Sequence, residues 1–334
     1  MQYISTVISG CENIITDFLR TDIADIKILK TLNSLILYET KTDMDSICNL
    51  KYLNNTFVVL KTFDNLSGTD TYVINKMISD TLSDYKNINL PNRKINVFKI
   101  FTSYESNLVS PSGHTLSQLI DKIKQSTKSK FNPVGADTEF WFMARSENIG
   151  FFALRITKNK KKLSPGELRP EIAYILCRLS KPNENDVFCD PFCGSGAIPL
   201  ERSRIAGYRG IFALDINPDL ISTLKSKTKK IKNAKFNKSF FIKCQDFLQN
   251  SFDDNFLDVI VTDPPWGYFQ NISNDFYDLI MAQFARIIKP NGRLVLLTAQ
   301  KDKMKNIPVT FKLATQYDIL LSGQKAGIFV FTKK

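Results

Sequence analysis

Apolar and polar positions alternate through the first 65 residues in a pattern that predicts short strands and two amphipathic helices. Six elements follow in the order β-α-β-β-α-β: a strand over Tyr3–Ser9, a helix over Glu12–Arg20, strands over Ala24–Lys30 and Ser34–Glu39, a helix over Asp43–Leu53, and a strand over Thr56–Phe63. This is the order of the split βαβ unit. We therefore predict an α+β ferredoxin-like domain over residues 1–65.

A second α+β pattern covers residues 66–160. It predicts helices over Tyr72–Tyr85 and Thr115–Lys128, and strands over Lys94–Thr102, Thr138–Arg145 and Gly150–Thr157. The last two strands are rich in aromatic residues, a set more typical of a core than of a surface for stacking bases: Phe140, Trp141, Phe142, Phe151 and Phe152. The basic segment 158–169 is interpreted as a linker.

From Pro170 onward, strands alternate regularly with helices. Strands are predicted over Asp186–Asp190, Gly210–Asp215, Ser239–Cys244, Leu257–Thr262 and Arg293–Ala299, with helices over Glu171–Leu179, Ala197–Ala206, Pro218–Lys230 and Asp275–Ile288. Such alternation is typical of βαβ units and a parallel sheet. The tail, Tyr317–Leu321 and Ile328–Thr332, is predicted to form a hairpin. The result is an α/β domain over residues 161–334 with a mostly parallel seven-stranded sheet.

Composition narrows the functional classes. The net charge is +12 and the isoelectric point is near 9.3, which favours a polyanionic partner. Two clusters, 158–162 and 225–238, concentrate lysine, although lysine is abundant along the whole chain and a bias in composition would also raise the charge. The six scattered cysteines and single histidine give no metal-ligand spacing and indicate a reducing compartment, the cytoplasm. No segment predicts a signal peptide or a membrane helix.

A glycine-rich turn follows the first strand of the α/β domain, in the segment Val187–Ala197. A turn of this kind, leaving a strand and opening a helix, binds nucleotide-like ligands in doubly wound sheets. Gly194 and Gly196 allow close approach of backbone to ligand. The acid Asp190 suits a ligand that carries an amino group, such as the methionine end of S-adenosylmethionine.

Further acids end the next two strands. Asp215 lies nineteen residues beyond Gly196, where an acid can take both hydroxyls of a ribose; a cap at the strand end is the alternative. Asp246 is predicted to accept from an adenine amine and Phe247 to pack on the ring, although this pair taken alone is equally consistent with a packing role. Two neighbours complete the predicted cofactor contacts: Phe192 and Ile216.

The segment Thr262–Phe269, TDPPWGYF, ends the fourth strand. Asp263 can accept hydrogen bonds from an amine, and Trp266 offers a flat face on which a base can stack. Pro264 and Pro265 remove two donors, so we expect their carbonyls to face outward without local partners. Together the four residues are candidates for holding an exocyclic amine during attack on an electrophile; a proline-rich loop with a packed tryptophan is the structural alternative.

With these residues the chain resembles the THUMP-domain-containing RNA methyltransferases that modify the exocyclic N2 amine of guanosine in tRNA. The second half carries most of the resemblance, in GELRPEIAYILCRL, DVFCDPFCGSGAIPLE, ALDINP, CQD and TDPPWG, and YISTVISGCENI and DTEFWFMARSENIGFFALRIT carry the weaker part. The resemblance implies a ferredoxin-like region, a THUMP-like RNA-binding domain over residues 66–160, and a Rossmann-like class I methyltransferase domain. It also implies S-adenosylmethionine as cofactor and tRNA as partner. We expect a monomer.

Three hypotheses remain open at this point. The first is a tRNA guanosine-N2 methyltransferase. The second is a DNA adenine or cytosine amino-methyltransferase, because the DPPW motif is also familiar in such enzymes. Methylation of guanine N2 in rRNA instead of tRNA is a further alternative. The third is an RNA-binding protein that keeps the fold without activity, against which the intact DPFCGSG and DPPW argue. The tRNA position and the number of methyl groups cannot be predicted from these residues.

Overall fold

The structure, a computed structural model, describes residues 1–88, 90–91, 94–158, 163, 167–231, 239–268, 271–305 and 307–334. The chain divides into two compact units, residues 1–7 with 12–159 and residues 8–11 with 160–334. The linker turn at Pro165 and Gly166, residues 159–162 of the first lysine cluster and residues 232–238 of the second lie outside the described residues. In the part of the chain that is described, no helix has the length and apolar character needed to span a membrane.

The first unit begins with the predicted element order β-α-β-β-α-β. Its elements are β1 Gln2–Thr6, α1 Glu12–Asp22, β2 Lys27–Leu32, β3 Leu35–Glu39, α2 Met44–Cys48 and β4 Asn55–Phe63. The next are α3 Asp70–Ser83, β5 Val97–Tyr104, β6 Asn107–Leu108, α4 Gly113–Thr127, β7 Lys130–Phe131, β8 Thr138–Arg145 and β9 Ile149–Arg155.

One sheet runs through this whole unit, in the order β2-β3-β1-β4-β9-β8-β5-β6, with β7 paired to β5. The antiparallel pair β4–β9 joins the strands of the first 65 residues to those that follow. The aromatics of β8 and β9 are core residues, as expected: Phe140, Phe142, Phe151 and Phe152 are fully buried, and Trp141 packs against Phe57 and Phe101. The division at residue 65 stays a prediction.

The second unit contains α5 Pro170–Leu179, β10 Val187–Asp190, α6 Ala197–Ile205, β11 Gly210–Asp215, α7 Pro218–Lys229, β12 Phe240–Cys244, β13 Leu257–Thr262, α8 Phe276–Ile287, β14 Ile288–Thr298, β15 Phe311–Leu321 and β16 Gln324–Lys333. The sheet order is β12-β11-β10-β13-β14-β16-β15. The first five strands are parallel, whereas β16 and β15 are antiparallel to their neighbours. The predicted α/β fold is confirmed, including its seven strands and terminal hairpin.

The largest differences from the predicted boundaries of this unit lie at β14 and in the terminal hairpin. Strand β14 begins at Ile288 rather than at Arg293, because the pairing with β13 shifts register and absorbs the intervening residues. The hairpin strands are also longer than predicted, since the turn needs only Ser322 and Gly323, both with positive φ. Two central residues with positive φ are the requirement of a tight type I′ hairpin turn.

Candidate active site

The predicted site residues meet at one edge of the second sheet, because β10, β11, β12 and β13 are parallel and their carboxyl ends lie on the same side. Asp190 ends β10 and Asp215 ends β11. Asp246 and Asp263 follow β12 and β13 by two residues and by one. This edge therefore carries four carboxylates on four adjacent strands.

The glycine-rich turn is held open by hydrogen bonds to β11. The Cys193 amide donates to the Leu214 carbonyl at 2.8 Å, and the Gly194 amide donates to Asp215 Oδ2 at 2.8 Å. Gly194 has φ +52°, and a Cβ built there meets no atom within 4 Å. The backbone of Gly194 thus faces a space that a ligand can approach closely, as S-adenosylmethionine binding requires.

The Asp190 carboxyl joins two strand tips. Its Oδ1 accepts from Thr262 Oγ1 at 2.8 Å and from the Phe192 amide at 3.3 Å, and among the described residues no donor reaches Oδ2. The side chain is 1% exposed, so a ligand can contact it only through that second oxygen. Burial raises the pKa of Asp190 to about 8, with smaller contributions from Asp215 and Asp263. A cationic amino group there would favour the ionised form.

Asp215 is oriented by two backbone donors. Besides Gly194, the Asn217 amide donates to its Oδ1 at 2.8 Å, and each oxygen keeps lone-pair capacity for a hydroxyl. The adjacent Ile216 side chain is 64% exposed, which suits packing against an adenine face. Lys227, which the sequence did not suggest, donates to Ser195 Oγ at 2.9 Å and fixes the turn from α7.

The remaining predicted cofactor residues have structural partners. Asp246 Oδ1 caps the short helix Phe247–Gln249 by accepting from the Leu248 amide at 2.9 Å. Phe247 is 1% exposed; its ring packs edge-on against Phe192 and at a tilt against Phe284. Because protein covers Phe247, this residue supports the site from beneath, which corrects the prediction that it packs on a ligand ring. Phe192 is partly exposed above it.

The DPPW loop leaves β13 directly beside the glycine-rich turn. The Trp266 indole Nε1 donates to Asp263 Oδ1 at 2.8 Å, so the indole and the carboxylate are linked. Within the described chain no donor reaches Asp263 Oδ2 or the Pro264 carbonyl. The part of the expectation that concerns local partners agrees with Pro264 among the described residues and is wrong for Pro265, whose carbonyl accepts from Tyr277 Oη at 3.1 Å.

Burial dominates the electrostatics of Asp263. It raises the pKa of this carboxyl to about 7, although the hydrogen bond from Trp266 acts in the opposite direction. Asp263 is therefore close to half ionised near neutral pH. A carboxylate in this state accepts hydrogen bonds strongly and can take up a proton.

Three residues around the DPPW loop escaped the sequence analysis: Tyr277, Thr298 and Gln300. Tyr277 lies on the buried side of α8, and Thr298 ends β14. Periodicity predicts such residues as core, and nothing in their local sequence signals hydrogen bonds to a loop 12 to 34 residues earlier. Among the described residues there is also no group of His, Cys, Asp or Glu that could hold a metal ion.

Comparison with known proteins agrees with this geometry. Residues 158–316 match the family UPF0020, described as an RMKL-like methyltransferase domain. The matched segment contains the glycine-rich turn, the four carboxylates and the DPPW loop.

Two relatives with names are similar in sequence. The chain is 32% identical over 157 residues to tRNA (guanine(6)-N(2))-methyltransferase THUMP3 of Mus musculus, which covers 43% of this chain and 31% of the mouse protein. It is 28% identical over 153 residues to tRNA (guanine(10)-N2)-dimethyltransferase of Methanocaldococcus jannaschii, covering 42% of this chain and 40% of that protein. The matched segment therefore spans well under half the length of either relative.

The fold is similar to a solved structure over both units. The crystal structure of TrmN from Thermus thermophilus gives a TM-score of 0.80 at 17% sequence identity, covering 100% of this chain and 99% of that chain. At this level of identity the similarity shows the fold alone. Both units have counterparts in that fold.

Proposed function

We propose that this chain transfers a methyl group from S-adenosylmethionine to the exocyclic N2 amine of a guanosine in tRNA. The observation that carries the proposal is the pair of unused acceptors, Asp263 Oδ2 and the Pro264 carbonyl, in the loop next to the cofactor turn. An amine with two hydrogens fits such a pair. The names of the relatives, which specify guanine N2 and tRNA, support the choice of base and nucleic acid.

The chemistry needs little more than positioning. When bound, S-adenosylmethionine supplies an electrophilic methyl group. Asp263 and Pro264 accept the two amine hydrogens and turn the nitrogen lone pair toward the methyl carbon. The nitrogen–carbon bond forms as the sulfur–carbon bond breaks, and the amine loses one proton, which Asp263 can take up. Near-attack geometry and a carboxylate facing the developing positive charge provide the rate enhancement.

The base must leave its stack to reach this loop. Trp266 is partly exposed and its indole is fixed through Asp263, so it is available as a platform for an extruded base. Base–aromatic stacking is worth about 1–3 kcal/mol, enough to offset much of the unstacking of one base. The exposed Tyr268 ring meets Trp266 edge-on, with centroids 6.3 Å apart, and borders the same platform.

The proposal also covers the binding partner, the oligomeric state and the cellular compartment. The net charge of +12 supports a nucleic acid partner, and we assign RNA binding to the THUMP-like residues 66–160. We propose a monomer, and a reducing compartment, the cytoplasm.

The test is transfer of label from radioactive S-adenosylmethionine to bulk tRNA by the purified chain, followed by digestion and separation of nucleosides. Label in N2-methylguanosine is the expected result. Guanine N2, adenine N6 and cytosine N4 are all exocyclic amines, so DNA and rRNA are offered in parallel reactions. Label in DNA alone, or in no nucleic acid while tRNA binds, would refute the proposal.

A further inference from the structure

A hydrogen-bonded network lies behind the DPPW loop, on the side away from the cofactor turn. Tyr277 of α8 and Thr298 at the end of β14 are 1% and 0% exposed, and Gln300 follows β14. Tyr277 Oη lies 3.1 Å from the Pro265 carbonyl and 2.7 Å from Thr298 Oγ1. The Gln300 backbone amide donates to Thr298 Oγ1 at 2.9 Å.

Counting hydrogens fixes the direction of these bonds. A carbonyl can only accept, so Tyr277 uses its single hydrogen on Pro265. The hydroxyl of Thr298 must then donate to Tyr277 Oη, while it accepts from the Gln300 amide. The Gln300 backbone amide therefore donates to the Thr298 hydroxyl, which donates to the Tyr277 hydroxyl, which donates to the Pro265 carbonyl. Because burial raises the pKa of Tyr277, its hydroxyl stays protonated as this order requires.

Gln300 closes the network onto the next residue of the loop. Its side-chain Nε2 donates to the Trp266 carbonyl at 2.7 Å. Two successive loop carbonyls, those of Pro265 and Trp266, are thus bound from behind. The two proline nitrogens offer no hydrogens, so the loop cannot hold itself by backbone donors at those positions. Among the described residues, the Pro264 carbonyl and Asp263 Oδ2 are left without a donor.

We infer that Tyr277, Thr298 and Gln300 are positioning residues for methyl transfer: they engage the Pro265 and Trp266 carbonyls so that Pro264 presents the acceptor for the amine. They do not touch the substrate. The inference rests on the proposed function for its meaning in catalysis, whereas the holding of the loop itself can be measured without activity.

The test uses the 334-residue chain with Trp141→Phe as parent, which leaves Trp266 as the one tryptophan of this sequence. In this parent, Tyr277→Phe and Thr298→Val are compared with Thr298→Ser, which keeps the hydroxyl. Tyr38→Phe is the matched control, since Tyr38 is also fully buried and its hydroxyl is bonded to Ser5 Oγ at 2.9 Å, in the first unit.

We expect Tyr277→Phe and Thr298→Val to lower kcat about tenfold or more, as small misplacement of reacting groups does, with KM for S-adenosylmethionine within about threefold of the parent. Acrylamide quenching of Trp266 should rise in both. Thr298→Ser and Tyr38→Phe should behave like the parent in both measurements. Parallel loss of cofactor affinity and kcat in every variant, Tyr38→Phe included, would overturn the inference.

Failure of the two proposals is distinguishable. If the parent methylates no tRNA, the proposed function fails, and unchanged quenching of Trp266 in Tyr277→Phe would independently overturn the network's holding role. If the parent is active and Tyr277→Phe retains its kcat, the network has no part in positioning while the proposed function stands.

Discussion

At the scale of single residues, Asp263 is where the chemistry is concentrated. Replacing it with alanine removes one of the two acceptors for the amine. We expect kcat to fall about 10²–10³-fold, the usual cost of deleting one preorganised electrostatic partner, while the dissociation constant for S-adenosylhomocysteine, measured by calorimetry, stays near the parent value. Asp263→Asn keeps an acceptor oxygen and should fall less.

The melting temperature of Asp263→Ala shows whether a loss of kcat comes from lost catalysis or from unfolding. Asp263 is half-buried and its pKa is raised to about 7, so its ionised form does not stabilise the fold. Asp263→Ala should therefore melt at or near the parent temperature at pH 8. A large drop in melting temperature together with the loss of kcat would remove the support for a catalytic assignment.

The same pKa predicts how activity depends on pH. Only the ionised carboxyl can accept a hydrogen at both oxygens, so kcat/KM for tRNA should rise as pH increases through about 7, the value in the free protein. Asp263→Asn has no such ionisation and should give a flat profile between pH 6 and 8 for this residue. An equal rise in both proteins would assign the titration elsewhere.

Asp190 makes a stability prediction of its own. Its pKa is about 8 in the folded protein against an ordinary value of 3.8, so between these values the folded state binds more protons than the unfolded state. Its contribution to stability is therefore full below about pH 4 and is lost as pH rises through 8. The melting temperature of Asp190→Asn, minus that of the parent, should increase from pH 5 to pH 8 in ligand-free protein.

At the scale of elements, the two glycines of the turn before α6 have different tasks. Both have positive φ, +52° at Gly194 and +91° at Gly196, but only Gly196 is packed: its Cβ would lie 2.2 Å from Leu224 Cδ1. Leu224 is fully buried in α7 and cannot move aside.

Alanine at each position should separate binding from folding. Gly194→Ala carries only the backbone cost, about 1–2 kcal/mol, but its methyl group enters the open space of the cofactor site and should weaken binding of S-adenosylhomocysteine. Gly196→Ala adds overpacking, typically about 1–3 kcal/mol, and should lower the free energy of unfolding more. Denaturant melts and calorimetry measure the two effects, and equal binding losses at equal stability would contradict the assignment.

Elements of the second unit were predictable because β10 and β13 are apolar runs bounded by turn signals, buried along almost their whole length. The candidate acids were predictable because parallel strands bring their ends to one edge. The two-residue strands β6 and β7 were missed, since two residues have no period. Tyr277, Thr298 and Gln300 were missed because their bonds to the DPPW loop depend on tertiary structure that local patterns do not encode.

At the scale of the whole molecule, the sequence pattern does not reveal how the first unit is joined. Strand β4 pairs with β9 through partners such as Phe57 and Arg155, nearly a hundred residues apart. Helical or strand periodicity carries no information on such pairing. The individual strands could therefore be predicted from the sequence, whereas their pairing into one continuous sheet could be learned only from the structure.

The net charge of +12 leads to a prediction about how binding of a whole nucleic acid depends on salt. Binding that depends only on phosphate charge loses about 10³–10⁵ in affinity between 50 and 200 mM salt when 6–10 phosphates are contacted. Recognition of RNA by shape and by an extruded base adds contacts that salt does not screen. At about 200 mM salt, this chain should therefore still bind tRNA. Duplex DNA and oligouridylate with an equal number of phosphates should no longer compete with tRNA for binding at that salt concentration. Filter binding over a salt series measures this. Equal competition by DNA at every salt concentration would shift the acceptor from tRNA to DNA and leave the amine chemistry of Asp263 intact, because that chemistry does not distinguish one exocyclic amine from another.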